Sequence, residues 1–171
     1  MNILNQIIDN KRAEISERKA VCSLAALRAM LPQTEPRPDF KEAIRSVPMG
    51  LIAEVKRRSP SAGLIRDPFD PAAIAVSYAA NHASAVSCLM DQKYFGGGDA
   101  DFSAVRNAID LPMLYKEFVV DSWQIIHAKV MGASAVLLIA GALSDRELES
   151  FSNEIRALDL LPLVEVHDRE E

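Results

Sequence analysis

The chain has 171 residues, of which 49% are hydrophobic and 25% charged, with a net charge of −5 at pH 7 and a pI near 5.3. That balance suits one globular domain with a real core. It excludes a nucleic-acid surface spread over the whole protein but leaves room for a local basic pocket holding a phosphorylated metabolite. No apolar run is long enough to span a membrane, so no membrane partner is expected. The first residues, MNILNQIIDNKRAEI, carry charges too early for a signal peptide. Cys22 and Cys88 have no metal-like or redox-like spacing, and a reducing cytoplasm is expected. His82, His127 and His167 show no ligand spacing, so no structural metal is expected.

In chain order, residues 3–19 place Ile3, Leu4, Ile7, Ile8 and Ile15 at helical spacing, with Lys11, Arg12, Glu14, Arg18 and Lys19 mostly on other faces. This predicts an amphipathic helix lying against something larger. Ser23 can cap a short helix running to Met30. Pro32, Pro36 and Pro38 break the chain, and Asp39 can cap another short helix ending near Arg45. Residues 1–48 therefore read as a helical extension packed on the main domain, which begins at residue 49.

From Leu51 the pattern changes to short apolar strands alternating with helices. Strands are predicted over Leu51 to Lys56, Ala85 to Met90, Pro112 to Lys116, Ala135 to Ala140 and Leu161 to Val166. Helices are predicted near Pro71 to Ala80, Asp101 to Ala108, Ser122 to Met131 and Asp145 to Leu158. Asp70-Pro71 is a cap followed by proline in the first turn. Ser144 with Glu147 forms a capping box, and Gly132 stands where a left-handed residue is wanted. Nearly all-apolar strands, each separated by a helix, imply an α/β fold with a parallel sheet covered on its faces.

The stretch LIAEVKRRSPSAG, from Leu51 to Gly63, departs from a purely structural strand. Glu54 and Lys56 are two residues apart, so in an extended chain they share a face. Burying an acid and a base among apolar neighbours costs several kcal/mol unless they are paired or useful. One reading is a satisfied ion pair at a strand end. The other is an active site at the carboxyl end of a barrel strand. The RRSPSAG segment that follows reads as a turn-rich loop of hydroxyls, amides and arginines suited to an anionic ligand. Lys116 ends the third strand and Glu165 lies in the fifth. Two acids and two bases thus gather near the ends of three strands, the pattern of a (β/α)-barrel active site.

The motifs LIAEVKRRSPSAG, SAVSCLMDQKYFGGG, LPMLYKEFVVDSWQI, GASAVLLIAGAL and LLPLVEVHDREE together resemble the indole-3-glycerol phosphate synthase family. The first and third are specific, whereas the apolar strand blocks would fit many barrels. The resemblance implies a (β/α)8 barrel with an N-terminal helical segment, of which this chain carries the extension and the first five βα units over residues 49–171. It also implies closure of the indole ring of 1-(2-carboxyphenylamino)-1-deoxyribulose 5-phosphate, with loss of carbon dioxide and water and no cofactor or metal. Lys116 matches the family's general acid, and Glu165 the glutamate of the dehydration steps. Glu54 matches the supporting carboxylate and Lys56 the lysine that holds the substrate's anionic groups. Ser59 matches a substrate contact, and Phe95, Phe118 and Leu137 match the apolar positions around the anthranilate ring. Met90 stands where the family usually has threonine, Glu117 where aspartate is commoner, and Asn81-His82 where a glycine is expected.

A complete barrel takes about 250 residues. The 171-residue chain alone is therefore expected to be inactive and to self-associate through open sheet edges. Two other readings stay open: a different phosphosugar barrel, and a non-catalytic half-barrel that binds or assembles.

Overall fold

The computed structural model describes residues 3–169 and 171. Met1, Asn2 and Glu170, which fall in the segments quoted above, lie outside the described residues. Three helices come first, α1 (Ile3–Val21), α2 (Leu24–Met30) and α3 (Phe40–Arg45). Ser23 accepts from the Ala26 amide at 3.2 Å and Asp39 from the Glu42 amide at 2.8 Å, so both expected caps form. The strand β1 (Ile52–Val55) follows. The segment after it, expected as a loop, closes into a small antiparallel ribbon of β2 (Arg58–Ser59) and β3 (Gly63–Leu64). Two-residue strands carry too little alternation to be seen in a sequence.

The alternation then runs α4 (Pro71–Ala80), β4 (Ala85–Leu89), α5 (Gln92–Phe95), α6 (Asp99–Ala108), β5 (Met113–Lys116), α7 (Ser122–Val130), β6 (Ala135–Ile139), α8 (Asp145–Ala157) and β7 (Leu161–Glu165). Asp70 caps α4 at 3.0 Å from the Ala73 amide. Ser144 and Glu147 make the expected capping box on α8. Asp121 with Gln124 makes a second such box on α7. Gly132 takes the left-handed conformation with φ 81, and His82 takes it with φ 64 where the family pattern has glycine.

The main sheet has the order β1-β4-β5-β6-β7, every pairing parallel. Each strand lies beside the next one in sequence, the arrangement of successive βα units. The pleat sends alternate residues to opposite faces. Val55, Val86, Cys88, Met113, Tyr115, Val136 and Leu138 point to the helical layer and join Ile74, Phe102, Val105, Ile125 and Ile155 in the larger core. Each large apolar side chain buried there contributes about 1.5–3 kcal/mol. Ala85, Leu114, Ala135, Leu137 and Ile139 point inward and cluster with Phe40 of α3. Met90 is buried in the outer core, so its departure from the family pattern does not face the inner side of the sheet.

The two edge strands differ from the middle three. Leu51, Ile52, Val164 and Val166 are exposed, whereas every residue of β4 and β6 is buried. The helix α1 packs its Ile15 with Leu27, Trp123 and Ile126. Its Arg18 lies 4.7 Å above the Trp123 ring and 2.5 Å from Asp99. Both cysteines are free thiols. Burial, aided by Asp101 and Glu54, pushes the Cys88 thiol up to about 12. Among the described residues no helix is long and apolar enough to cross a membrane.

Candidate active site

Inward parity at the carboxyl ends of the strands brings the charged residues together. In register, Glu54 lies beside Ser87, Leu89 beside Lys116, and Ile139 beside Glu165. Lys56 follows β1 immediately and donates from Nζ to Glu54 Oε1 at 2.5 Å. Lys116 Nζ donates to Glu165 Oε2 at 2.8 Å. The backbone of β1 is itself held, because the Tyr78 hydroxyl of α4 donates to the Glu54 carbonyl at 3.0 Å. All four ionisable groups line one cavity of about 230 Å³, whose apolar walls include Leu89, Phe95, Phe118, Leu137 and Ile139. An adjoining cleft of about 620 Å³ shares Lys56, Phe95, Phe118 and Glu165 and adds Ser59, Ile3 and Ile7.

Every expected site residue therefore opens onto one continuous mouth. The four charged side chains are between 26% and 34% exposed, so each pair is partly desolvated yet open to a ligand. Ser59 sits in the ribbon, where its Oγ accepts from the Ala62 amide at 3.1 Å. The Phe95 and Phe118 ring centroids are 5.9 Å apart with a 37° tilt. Phe95 ends α5, whose return to the sheet depends on Gly97. A Cβ at Gly97 would meet the Leu89 carbonyl oxygen, at a separation of 1.9 Å.

Several lining residues were not anticipated. Leu89 and Ile139 follow from strand parity, a signal present in the sequence. Ile3 and Ile7 belong to the apolar face of α1, but periodicity alone does not say what that face covers. His167 also lies at the cleft, its Nε2 3.3 Å from Glu165 Oε1. Among the described residues no three His, Cys, Asp or Glu side chains gather as a bound metal would need.

A second charged group sits on the same rim and corrects the reading of α1. Lys11 was expected on a polar face, yet it is fully buried. Its Nζ lies 2.8 Å from Glu14, 3.0 Å from Asp91 and 3.0 Å from Glu117. Burial alone would lower the Lys11 pKa, but Glu117, Asp91 and Glu14 outweigh it and hold the ammonium charged. Burial raises Glu117 to about 7, against the opposing pull of Lys11 and of the Phe118 amide. Glu117, met first as a small departure from a family pattern, is thus the link between α1 and the strand that carries Lys116.

Comparison with known proteins assigns the chain a family. Residues 4–171 match the family described as indole-3-glycerol phosphate synthase. A protein of that name from Nocardioides is 46% identical over 171 residues, covering 100% of this chain and 66% of the relative. One from Acidithiobacillus ferrooxidans is 45% identical over 174 residues, covering 99% of this chain and 66% of the relative. The chloroplastic protein of that name from Arabidopsis thaliana is 44% identical over 176 residues, with 99% of this chain and 44% of the relative covered. The chain thus spans just under two thirds of the length of the first two relatives. The parallel α/β sheet, its helical cover and a family match that spans residues 4–171 lead to one family, that of the (β/α)8 barrels named above: the chain belongs to the indole-3-glycerol phosphate synthase family.

Proposed function

We propose that the protein is an indole-3-glycerol phosphate synthase, a carboxy-lyase of tryptophan biosynthesis. It acts on 1-(2-carboxyphenylamino)-1-deoxyribulose 5-phosphate. The observation that carries this reading is the placement of Glu54, Lys56, Lys116 and Glu165 around one cavity walled by Phe95, Phe118 and Leu137. An aromatic acid fits such a site, with its ring among the apolar walls and its charged groups facing lysines.

In this reading Lys116 protonates the ketone oxygen as the ring carbon bearing the carboxylate bonds to the carbonyl carbon. The carboxylate then leaves as carbon dioxide, and its bonding pair restores the aromatic ring. In the dehydration the new hydroxyl departs as water, with Glu165 handling the proton that must be given and taken. Positioned proton transfer of this kind contributes about 10²- to 10⁴-fold to rate. Lys56 and Ser59 hold the anionic groups, while Glu54 keeps Lys56 oriented through their hydrogen bond. The chemistry calls for no cofactor or metal. Residues 1–48 form a helical extension of the same unit as residues 49–171, with no domain of their own. The free thiols of Cys22 and Cys88 are compatible with a reducing compartment, and a cytoplasmic location is part of this proposed reading.

The test is to supply the substrate to the protein at the full length of its relatives, because the 171-residue chain alone is expected to be inactive, and to follow carbon dioxide release together with the appearance of indole fluorescence. Turnover supports the reading. Tight binding of the substrate without turnover favours a second one, a non-catalytic half-barrel that binds or assembles. The exposed Leu51, Ile52, Val164 and Val166 on the two edge strands support that second reading, because unpaired apolar edges recruit other chains. It requires a concentration-dependent rise in sedimentation coefficient that Val164→Lys and Val166→Lys reduce. A monomer at all concentrations refutes it.

A further inference from the structure

We infer that Lys11 is a positioning residue for the aromatic walls of the site, fixing Phe95 and Phe118 relative to each other by holding the two carboxylates that anchor them. This rests on the functional reading above and extends it to a residue outside the cavity.

Two of the three carboxylates that meet Lys11, Asp91 and Glu117, each hold one wall. Asp91 Oδ1 accepts from the Tyr94 amide at 2.6 Å, capping the short helix α5 that ends in Phe95. Glu117 Oε1 accepts from the Phe118 amide at 2.8 Å. The free oxygens of the same carboxylates, Asp91 Oδ2 and Glu117 Oε2, both lie 3.0 Å from the Lys11 ammonium. One cation thus joins the end of β4 to the end of β5 through two bridges, each a single residue away from a wall of the cavity. The rings those bridges carry are the pair 5.9 Å apart. The same helix sends Ile3 and Ile7 to line the outer cleft, so α1 is both strap and wall.

A buried charge group is a costly way to hold a helix, and well-packed apolar side chains would do that job as well or better. What charges add is direction. Lys11 donates hydrogen bonds to Glu117 and Glu14 and meets Asp91 Oδ2 as an ion pair at 3.0 Å, and a buried cation set between these acids constrains their relative placement in a way that apolar contact does not. The next residue toward the strand from Glu117 is Lys116, so the same bridge limits how far the proposed acid can drift from Glu165.

The test compares the whole chain with Lys11→Met, and with Lys11→Met combined with Glu117→Gln, which leaves a smaller uncompensated charge and covers the case in which the single variant fails to fold. Circular dichroism establishes that the variants keep their helices and strands. Nuclear magnetic resonance then reads the contact between the Phe95 and Phe118 rings and the exchange of the Tyr94 and Phe118 amides. The fluorescence of the substrate's aminobenzoate ring reads its affinity. The expected result is exchange about tenfold faster at both amides, loss of the ring-to-ring contact and affinity about tenfold weaker. Folded variants in which α1 exchanges faster while both amides and the ring contact stay as in the wild type would overturn the inference, since Lys11 would then hold only its own helix. A wild-type protein at the full length of its relatives that binds no substrate refutes the functional reading instead, and the amide and ring measurements still decide the role of Lys11.

Discussion

Two groups of lysines and carboxylates share the carboxyl rim of this sheet, and they are built in opposite ways. Lys11, Asp91 and Glu117 are 0%, 0% and 2% exposed. Glu54, Lys56, Lys116 and Glu165 keep roughly a quarter to a third of their side-chain surface in solvent, at 31%, 32%, 26% and 34%. In the first group one cation is surrounded by several acids and the charges are spent on each other. In the second each lysine has one acid and an open cavity in front of it. The same residue types therefore do different jobs. Sealed charges fix geometry, whereas half-open charges stay free to exchange a protein partner for a ligand.

The comparison breaks most sharply on activity. In the protein at the full length of its relatives, Lys116→Met or Glu165→Gln is expected to lower turnover by about 100-fold or more while leaving the thermal midpoint nearly unchanged. A steady-state assay run beside a thermal melt checks both halves, and wild-type turnover in either variant would remove these residues from the mechanism. Stability should show the reverse ordering. Lys11→Met strands buried carboxylates and is expected to cost about 3–5 kcal/mol in urea unfolding, as broken buried pairs do. Lys56→Met, at a half-open pair, should cost less than about 1 kcal/mol. Equal costs would erase the distinction between the two groups.

Acidity separates them further. The folded-state value of Glu117 is raised from 4.5 to about 7, chiefly by burial. A raised carboxylate contributes stability that is present below its unfolded value and lost as pH rises through its folded value. Between about pH 4.5 and 7 the contribution of Glu117 to stability should therefore fall, and Glu117→Gln should flatten that part of the urea-midpoint profile. The groups facing it are Lys11 and Glu14 from α1, Asp91 beyond β4 and Tyr115 of β5. For the same reason Lys11→Met should cost less at pH 5 than at pH 8, because a protonated Glu117 needs no cation. The smallest effect sets the background. His82→Gly, remote from both groups and left-handed with φ 64, should gain about 0.5–1 kcal/mol with no change in the pH profile.

Much of this was legible in the sequence, for physical reasons that can be named. The strands are short apolar runs bounded by caps whose signals are local, and the caps at Asp70 and Ser144 formed as read. The charged residues of the cavity were legible because Glu54 and Lys56 break apolar alternation in a place where a core strand would not tolerate them. Lys11 was not legible. Helical spacing puts it beside a polar face, and only a partner 106 residues away turns that face into an interior. Helix α5 and the ribbon were not legible because a four-residue helix and two-residue strands hold barely one period of their patterns, too little to show a repeat.

The distance along the chain between Lys11 and Glu117 also bears on how the protein is made. Helix α1 leaves the ribosome well before two of the acids that neutralise Lys11, at positions 91 and 117. Until Asp91 emerges, the only one of its acids that Lys11 can meet is Glu14 of its own helix, and until β5 emerges Ile7, Ile8 and Ile15 have little of the surface they finally cover. Helix α1 then docks late relative to its own synthesis, and the nascent chain carries an exposed apolar stripe until β5 is made. Nascent chains arrested before and after Glu117 clears the exit tunnel should differ accordingly, with α1 open to protease in the shorter and protected in the longer. Equal protection in both would mean that α1 finds its seat without its buried acids.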